Sequence, residues 1–355
     1  MEIKIDRKIH EDVRRDIFVK TPGSGRHRCL MGIYQIGKTE LVKDWIKEWT
    51  EQRNKILSTL KAQLADTEYS TADESDAKTI SKLKKMACEI DLEDLPEELK
   101  VFCVAVNFKE LNLSALGAIF KEIQNKVFKP TDSKTKEYIA TDNGEVYQIK
   151  TADNFLVTVA DDEKKEALDH IAEVLTDKSP DITRKIKIFA QAITVLGFHL
   201  ILVFDEFNNA ANVQNTEDNV REESEDKEKL FQLLRELEPY SYDAEGKQAE
   251  RKYNLTILLV ARQEFGMITG KTEKYSKDNE IYKTARMTGF SKHQIEEFIG
   301  GLKKIKDFSE ENEVYAEVAK AYNGTDKLEM QMLKRCGKHP GLWGSMPNIL
   351  RYMYA

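Results

Sequence analysis

A few continuous apolar runs alternate along the chain with segments of helical spacing. Residues 101–106 (VFCVAV), 198–204 (FHLILVF) and 255–261 (LTILLVA) are apolar at nearly every position, as expected of strands covered on both faces of a sheet. Residues 28–31 form a shorter run of the same kind. Strands and helices that alternate in this way predict an α/β fold with a central parallel sheet. Helical spacing predicts helices over residues 40–64, 114–128, 164–175, 182–196 and 227–237.

Residues 130–165 follow a different pattern. Asn143-Gly144 lies between two segments of alternating polarity, which is the sequence signature of a β-hairpin, and residues 154–159 (NFLVTV) add a candidate third strand. We interpret this region as an insertion with a small β-element outside the main sheet, either a surface decoration or a specialised contact. Three polar or turn-rich stretches are predicted to be connections: residues 66–76, 208–229 and 240–251.

The two ends of the chain flank this core. Residues 17–19 (IFV) are predicted to pack against the core or against a bound base. Residues 281–290 supply one further candidate strand. Ser291 then begins a helix, with a glutamine three residues on in a capping-box arrangement. We therefore divide the chain into an α/β core over residues 1–290 and a C-terminal helical or winged-helix-like lid over residues 291–355.

Composition narrows the class of protein. Apolar residues make up 41% and charged residues 33%, and 55 basic against 62 acidic residues give a net charge of −7. That balance argues against bulk nucleic-acid binding, although it does not exclude a local basic groove. The charged start lacks the apolar run of a signal peptide, and no segment approaches the roughly 18 consecutive apolar residues of a membrane span. Four cysteines lie far apart without a C-x-x-C pair, which disfavours a metal site: Cys29, Cys88, Cys103 and Cys336. We expect a cytoplasmic protein without a membrane partner.

Residues 30–41 read LMGIYQIGKTEL and contain the pattern G-x-x-x-x-G-K-[ST]. Glycine is needed where backbone N–H groups close around phosphate oxygens, the lysine reaches the β- and γ-phosphates, and the neighbouring hydroxyl ligates Mg²⁺. A chance glycine loop is the alternative, but an apolar strand precedes this loop and a helical pattern follows it, as the motif requires. The candidate nucleotide-binding residues are Gly32, Gln35, Ile36, Gly37, Lys38, Thr39 and Glu40, and Thr39 is also a candidate metal ligand.

Residues 198–204 end in Asp205-Glu206, which supplies the second requirement for hydrolysis of a nucleoside triphosphate. Asp205 is the candidate ligand of the Mg²⁺ water shell, and Glu206 is the candidate catalytic residue that orients or deprotonates the attacking water. A helix or turn cap is the alternative for Asp205. An adjacent Asp-Glu is typical of phosphate-loop enzymes with an extra strand between the loop strand and the acid strand. We therefore expect residues 255–261 between those two strands and residues 101–106 beyond the acid strand, with the ligand at the carboxyl ends of the sheet.

Two further features are candidates for sensing the bound nucleotide. Arg262 follows the last apolar run, where a candidate catalytic sensor can reach the γ-phosphate or the attacking water. A surface arginine paired with Glu264 or Asp205 is the alternative. His339 and Pro340 lie in a glycine-bounded turn and are candidate phosphate contacts from the lid, although a lone histidine is more often structural.

Six short motifs between residues 32 and 342 point to a known family: GIYQIGKTEL, LVFDEF, FQLLREL, LTILLVARQ, TGFSKHQIEEFI and GKHPGL. Together they resemble the STAND NTPases, signal-transduction ATPases related to AAA+ proteins, and most of all their prokaryotic, archaeal-ATPase-like branch. The resemblance implies an ATP-binding switch whose nucleotide lies between core and lid and whose exchange or slow hydrolysis drives oligomer assembly. It implies ATP/ADP and Mg²⁺ as ligands, a sensor role for Arg262 and a phosphate contact for His339. It also implies self-association, or an effector or sensor protein as partner.

We therefore predict a Mg²⁺-dependent ATPase that works as a STAND-type regulatory switch. One alternative is a DNA-associated AAA+ ATPase of the replication or transposition regulator type, which would need a basic groove. The other is a nucleotide-binding scaffold without meaningful turnover, in which ATP only stabilises the fold. Glu206 argues against the scaffold, because a pure binder has no use for a positioned base.

Overall fold

A computed structural model of the chain describes residues 10–19, 26–33, 37–71, 88–109, 114–132, 134, 136–142, 146–211, 220–237, 240–242, 248–263, 265–268 and 281–287. The predicted lid over residues 291–355, with His339 and Pro340, lies outside these residues. So do Gln35 and Ile36 of the glycine-rich loop and the predicted hairpin turn at residues 143–144.

The described elements alternate between strands and helices as expected for an α/β fold. The strands are β1 (Arg28–Met31), β2 (Cys88–Asp91), β3 (Val101–Asn107), β4 (Phe128–Lys129), β5 (Ile139–Asp142), β6 (Val146–Thr151), β7 (Phe155–Val159), β8 (His199–Asp205), β9 (Tyr240–Tyr242), β10 (Gln248–Arg251), β11 (Leu255–Ala261) and β12 (Lys283–Arg286). The helices are α1 (Glu11–Arg14, continued by a π-helical turn, Arg15–Val19), α2 (Lys38–Thr71), α3 (Ala115–Lys126), α4 (Asp162–Thr176), α5 (Ile182–Val195), α6 (Asn208–Ala211), α7 (Val220–Glu236) and α8 (Phe265–Ile268).

The main sheet is parallel throughout, with the strand order β12-β1-β11-β8-β3. β11 therefore lies between the loop strand β1 and the acid strand β8, and β3 lies beyond β8, as the adjacent Asp205-Glu206 predicted. The predicted strand after residue 281 is confirmed as the edge strand β12. This order, with helices packed on both faces, is that of an α/β P-loop NTPase fold.

The core lies on both faces of this sheet. Every residue of β11, and all of β8 except Asp205, is buried, because helices cover the sheet on each side. Successive residues of a strand point to opposite faces, so Leu202 belongs to one apolar cluster and Val203 to the other. The Val203 cluster also contains Trp45 of α2 and Ile17 of the N-terminal segment. The prediction that this segment packs against the core is thus confirmed for Ile17.

A buried arginine holds the N-terminal segment against the loop strand. Arg28 of β1 is only 3% exposed and forms ion pairs with Asp12 at 2.9 Å and with Asp16 at 2.7 Å. The two carboxylates lie four residues apart and therefore on one side of the α1 segment. This double contact fixes α1 across the strand that leads into the glycine-rich loop.

The five helices predicted between residues 40 and 237 are present, and three of them begin at a capping side chain. Ser114, Asp161 and Asp181 precede α3, α4 and α5, and the side-chain oxygen of each accepts a backbone N–H three residues on, which satisfies one of the donors left open at a helix start. α3 ends at Lys126, two residues before its predicted end, because Phe128 enters β4. Among the described residues, no helix combines the length and the apolar character that crossing a membrane requires.

The predicted insertion forms a second sheet outside the main one. β5 and β6 pair antiparallel, so the hairpin is confirmed, and β7 adds the predicted third strand. The sheet is larger than the sequence indicated, because β2 pairs parallel with β7 and β4 pairs antiparallel with β6. Arg53 of α2 joins the two sheets: it donates to the carbonyl oxygens of Leu99 and Val101 and pairs with Asp153 at 2.5 Å.

Three stretches predicted as connections contain regular structure. α2 continues to Thr71 through part of the polar run over residues 66–76, because extending a long helix is easier than starting one. α7 begins at Val220, within the acidic run over residues 208–229, whose abundant Glu and Lys are good helix formers. Residues 240–251 include the antiparallel ribbon of β9 and β10. Polarity alone was a poor guide to these three stretches.

Candidate nucleotide-binding and hydrolysis site

The glycine-rich loop has the strand and helix that the motif requires. β1 ends at Met31, the N–H of Gly32 donates to the carbonyl oxygen of Ala261 at 3.2 Å, and α2 begins at Lys38. Gly37 has φ +88°, in the left-handed region that glycine adopts readily. The loop therefore enters α2 through a backbone turn that a residue with a Cβ would resist.

Lys38 points back into the loop. Its buried ammonium donates to the carbonyl oxygens of Gly32 at 2.8 Å and Ile33 at 3.0 Å. Burial lowers the pKa of this ammonium, and the Arg262 guanidinium adds to that effect, whereas Glu206 and Asp205 oppose it. The cation is thus held over the loop at the start of a helix, where two carbonyl oxygens fix its direction.

Thr39 and Asp205 bring together the start of α2 and the end of β8. The Thr39 hydroxyl donates to Asp205 Oδ1 at 3.1 Å, and the same oxygen accepts the backbone N–H of Glu206 at 2.9 Å. Burial raises the pKa of the Asp205 carboxyl, and the two hydrogen bonds offset part of that effect. A hydroxyl beside a carboxylate is a pair of hard oxygen donors, which is the chemistry that Mg²⁺ prefers. The residues present therefore fit the predicted metal.

Glu206 sits in an unusual backbone conformation. Its φ of +52° lies in the left-handed region, which disfavours a residue with a Cβ by roughly 1–2 kcal/mol. Glu206 Oε2 lies 3.4 Å from Arg262 Nη2. The Glu206 side chain is 20% exposed and that of Arg262 is 42% exposed, so both remain accessible from the carboxyl end of the sheet. Arg262 thus contacts the candidate base Glu206, whereas Glu264, one of the two alternative partners, lies outside the described residues.

Sequence reasoning missed Asn208. Its side chain is buried, and its Oδ1 accepts the backbone N–H of Arg262. The pattern gives little warning of this contact, because Asn208 opens a polar run that is typical of a surface connection. Only the fold brings it to the end of β11.

The predicted site residues fall into three groups. Six of them meet at the carboxyl edge of the sheet or at the adjoining helix start: Gly32, Gly37, Lys38, Thr39, Asp205 and Glu206, with Arg262 beside them. The Glu40 carboxylate pairs with Lys43 at 2.9 Å on the exposed side of α2. Gln35, Ile36, His339 and Pro340 lie outside the described residues.

The chain matches no family model and no curated protein. Among solved structures it is similar to the Aeropyrum pernix ORC2 protein in its ADPNP-ADP complexes, with 14% sequence identity and a TM-score of 0.42. The alignment covers 98% of this chain and 68% of the ORC2 chain. The ADP form of the same protein gives 14% identity, a TM-score of 0.41, and coverage of 98% and 69%. Similarity at this level carries no argument about function. The fold assignment rests on the strand order and the loop described above.

Proposed function

We propose that the protein binds ATP with Mg²⁺ and hydrolyses it, and that its nucleotide state controls conformation or assembly in the manner of a STAND-type switch. The observation that carries this proposal is the hydrogen bond between Thr39 and Asp205. It unites the helix that follows the glycine-rich loop with the strand that carries Asp205-Glu206. On sequence grounds we also propose a cytoplasmic location.

The glycine-rich loop and α2 would hold the phosphates. Backbone N–H groups at a helix start, together with the Lys38 ammonium, favour a multiply charged anion. Thr39 and Asp205 would hold Mg²⁺, which neutralises negative charge on the β- and γ-phosphate oxygens when bound. The raised pKa of Asp205 and the lowered pKa of Lys38 share burial as their largest cause. Binding of Mg²⁺ at Asp205 and of phosphate oxygens at Lys38 would therefore favour the charged form of each group.

Glu206 and Arg262 would act on the reacting atoms. The oxygen of a water molecule forms a bond to the γ-phosphorus as the bond from that phosphorus to the bridging oxygen breaks, and the water proton passes to the Glu206 carboxylate. ADP and inorganic phosphate are the products. Arg262, 3.4 Å from Glu206, would contact the γ-phosphate or the water and so report which nucleotide is present.

A Mg²⁺ titration tests the proposed hydrolysis. The wild-type protein is expected to release phosphate from ATP in Mg²⁺ and to stop when the metal is chelated. Thr39→Ala is expected to need more Mg²⁺ for half-maximal turnover, whereas Thr50→Ala, a matched change further along α2, should not. Turnover that is insensitive to Mg²⁺ would contradict the assignment of Thr39 and Asp205.

Light scattering tests the switch. We expect the mass of the protein to differ between samples without nucleotide, with ADP and with a non-hydrolysable ATP analogue, because the proposed output is self-association or binding to an effector. An unchanged mass in all three samples would contradict nucleotide-dependent assembly but would not contradict the proposed hydrolysis. Salt-dependent binding of random duplex DNA would favour the DNA-associated alternative.

A further inference from the structure

The turn after β8 is tied to the end of β11 by two hydrogen bonds. The backbone N–H of Phe207 donates to the carbonyl oxygen of Val260 at 3.0 Å, and Asn208 Oδ1 accepts the backbone N–H of Arg262. The regular pairing of β8 with β11 ends earlier, at Phe204 and Leu259. The two bonds therefore keep the chain after β8 attached to the end of β11 beyond the last paired residues, next to Glu206 and Arg262.

Asn208 supplies a partner that the sheet no longer provides. A backbone N–H removed from water needs an acceptor, and beyond the last strand pair that acceptor must come from a loop or a side chain. Asn208 is only 7% exposed, so its side chain has little freedom to leave this position. The bond fixes the peptide group from which the Arg262 side chain extends.

The same short turn fixes Glu206. Its backbone N–H donates to Asp205 Oδ1 at 2.9 Å, and its carbonyl oxygen accepts the N–H of Asn209 at 2.8 Å. These bonds hold Glu206 at its positive φ, two residues before Asn208. One turn thus carries the candidate base, and its Asn208 side chain anchors the strand end that carries the candidate sensor.

We propose that Asn208 is a positioning residue for hydrolysis: it sets Arg262 against Glu206 by holding the Arg262 peptide. This inference rests on the proposed function, because it assigns a role within the same site. Asn208 does not touch the nucleotide in this role and acts only through Arg262. Its loss should therefore lower kcat and leave nucleotide affinity nearly unchanged.

A merely structural asparagine would behave differently. Asn208 also begins α6, and a buried amide can stabilise a turn without any effect on turnover. The two roles separate in a double-mutant cycle with Arg262, since a residue that acts through Arg262 has nothing left to position once that side chain is removed. A structural residue would lower kcat by the same factor in both backgrounds.

The experiment compares steady-state phosphate release from MgATP in the wild type, Asn208→Leu, Arg262→Met and the double variant. We expect Asn208→Leu to lower kcat on the order of 10- to 100-fold, as small displacements at reacting centres do, with KM unchanged. In the Arg262→Met background the same change should alter kcat by no more than about twofold. Asn208→Asp keeps an oxygen acceptor and should recover much of the loss. Asn54→Leu, the same change at an exposed position in the middle of α2, is the matched control and should retain the wild-type rate.

Two results would overturn the inference: a wild-type kcat in Asn208→Leu, or an equal loss in both backgrounds. If Asn208→Leu does not fold, Asn208→Ser, whose shorter side chain falls away from the Arg262 N–H, goes through the same cycle with the same two criteria. A wild-type protein that releases no phosphate would overturn the proposed function and this inference together. An active wild type with an unaffected Asn208→Leu would overturn this inference alone.

Discussion

The hydroxyl of Thr39 lies 3.1 Å from the carboxylate of Asp205, although 166 positions separate the two residues in the chain. Thr39 belongs to the first turn of α2, and Asp205 is the last residue of β8. The strand order makes this contact possible, because both elements reach the carboxyl edge of the same parallel sheet. This edge holds the buried Lys38 ammonium, the partly buried Asp205 carboxylate and the second acid, Glu206.

Asp205 should destabilise the protein when no ligand is bound. Burial favours its protonated form, so the contribution of this carboxyl to stability is largest at low pH and is lost as the pH rises through its raised pKa. We expect Asp205→Asn to increase the free energy of unfolding at neutral pH, by about 0.5–2 kcal/mol as for other stabilising changes. The gain should shrink as the pH falls towards the pKa of the carboxyl. Denaturant unfolding of both proteins at several pH values, without nucleotide or Mg²⁺, measures this difference in the free energy of unfolding.

Asp162→Asn is the matched control for this prediction. The Asp162 side chain is 97% exposed and pairs with Lys165 on the surface of α4. The same chemical change there should shift stability by no more than about 0.5 kcal/mol. A loss of stability in Asp205→Asn at neutral pH would contradict the prediction, because it would mean that the partly buried carboxylate is well accommodated without a ligand.

Lys38 should be required for nucleotide binding but not for folding. Its removal takes away a side-chain cation that two hydrogen bonds hold against the loop. Truncating one partner of a buried charge pair typically weakens binding by about 2–5 kcal/mol. Lys38→Ala should therefore bind ATP at least roughly 30-fold more weakly, while its thermal unfolding stays cooperative. Equilibrium binding of a fluorescent ATP analogue measures the affinity.

Lys43→Ala controls for the general loss of positive charge near the loop. The Lys43 side chain is 64% exposed and pairs with Glu40, so its removal should change affinity only slightly. An equal loss of affinity in both variants would mean that Lys38 acts through net charge and not through its position in the loop.

Arg53 should be among the residues that most stabilise the junction of the two sheets. It is 8% exposed, donates to the carbonyl oxygens of Leu99 and Val101, and pairs with Asp153 in the turn between β6 and β7 of the second sheet. Arg53→Met keeps much of the side-chain volume but leaves these acceptors unpaired, and breaking a buried ion pair typically lowers stability by about 3–5 kcal/mol. Denaturant unfolding measures the loss.

Arg14 offers the comparison for Arg53, because it pairs with Glu11 and Glu48, whose carboxylates are 51% and 40% exposed. Arg14→Met should lower stability by no more than about 1 kcal/mol, because exposed pairs contribute little. Similar small losses in both variants would show that the second sheet is held by apolar packing and not by Arg53.

The sequence was informative where the physical requirement is local. The two glycines, Lys38 and Thr39 lie within eight residues of the chain, because a phosphate-binding loop is built from one short segment. Asp205 and Glu206 also predicted the strand order of the sheet, because two adjacent acids at the end of a buried strand are typical of one arrangement of strands. The parallel pairing of β11 with both β1 and β8 followed from that order.

Features that depend on distant partners could not be predicted. β2 is four residues long, which is too short to show a clear hydrophobic periodicity, and it is a strand because it pairs with β7. Asn208 is one polar residue among many in its segment, and its role depends on a strand end that comes more than fifty residues later. Arg53 lies on a helix with an ordinary amphipathic pattern, and its partners belong to other elements.

Glu206→Gln tests the central claim most directly, because glutamine keeps the size and hydrogen bonding of the side chain but cannot take up the water proton at neutral pH. Phosphate release from MgATP is measured in the wild type and the variant, with nucleotide affinity determined in parallel. We predict measurable wild-type turnover, a kcat lower on the order of 10²- to 10⁴-fold in the variant, and similar affinities. Equal rates in the two proteins, whether near zero or not, would contradict the assignment of Glu206 as the base of an ATPase.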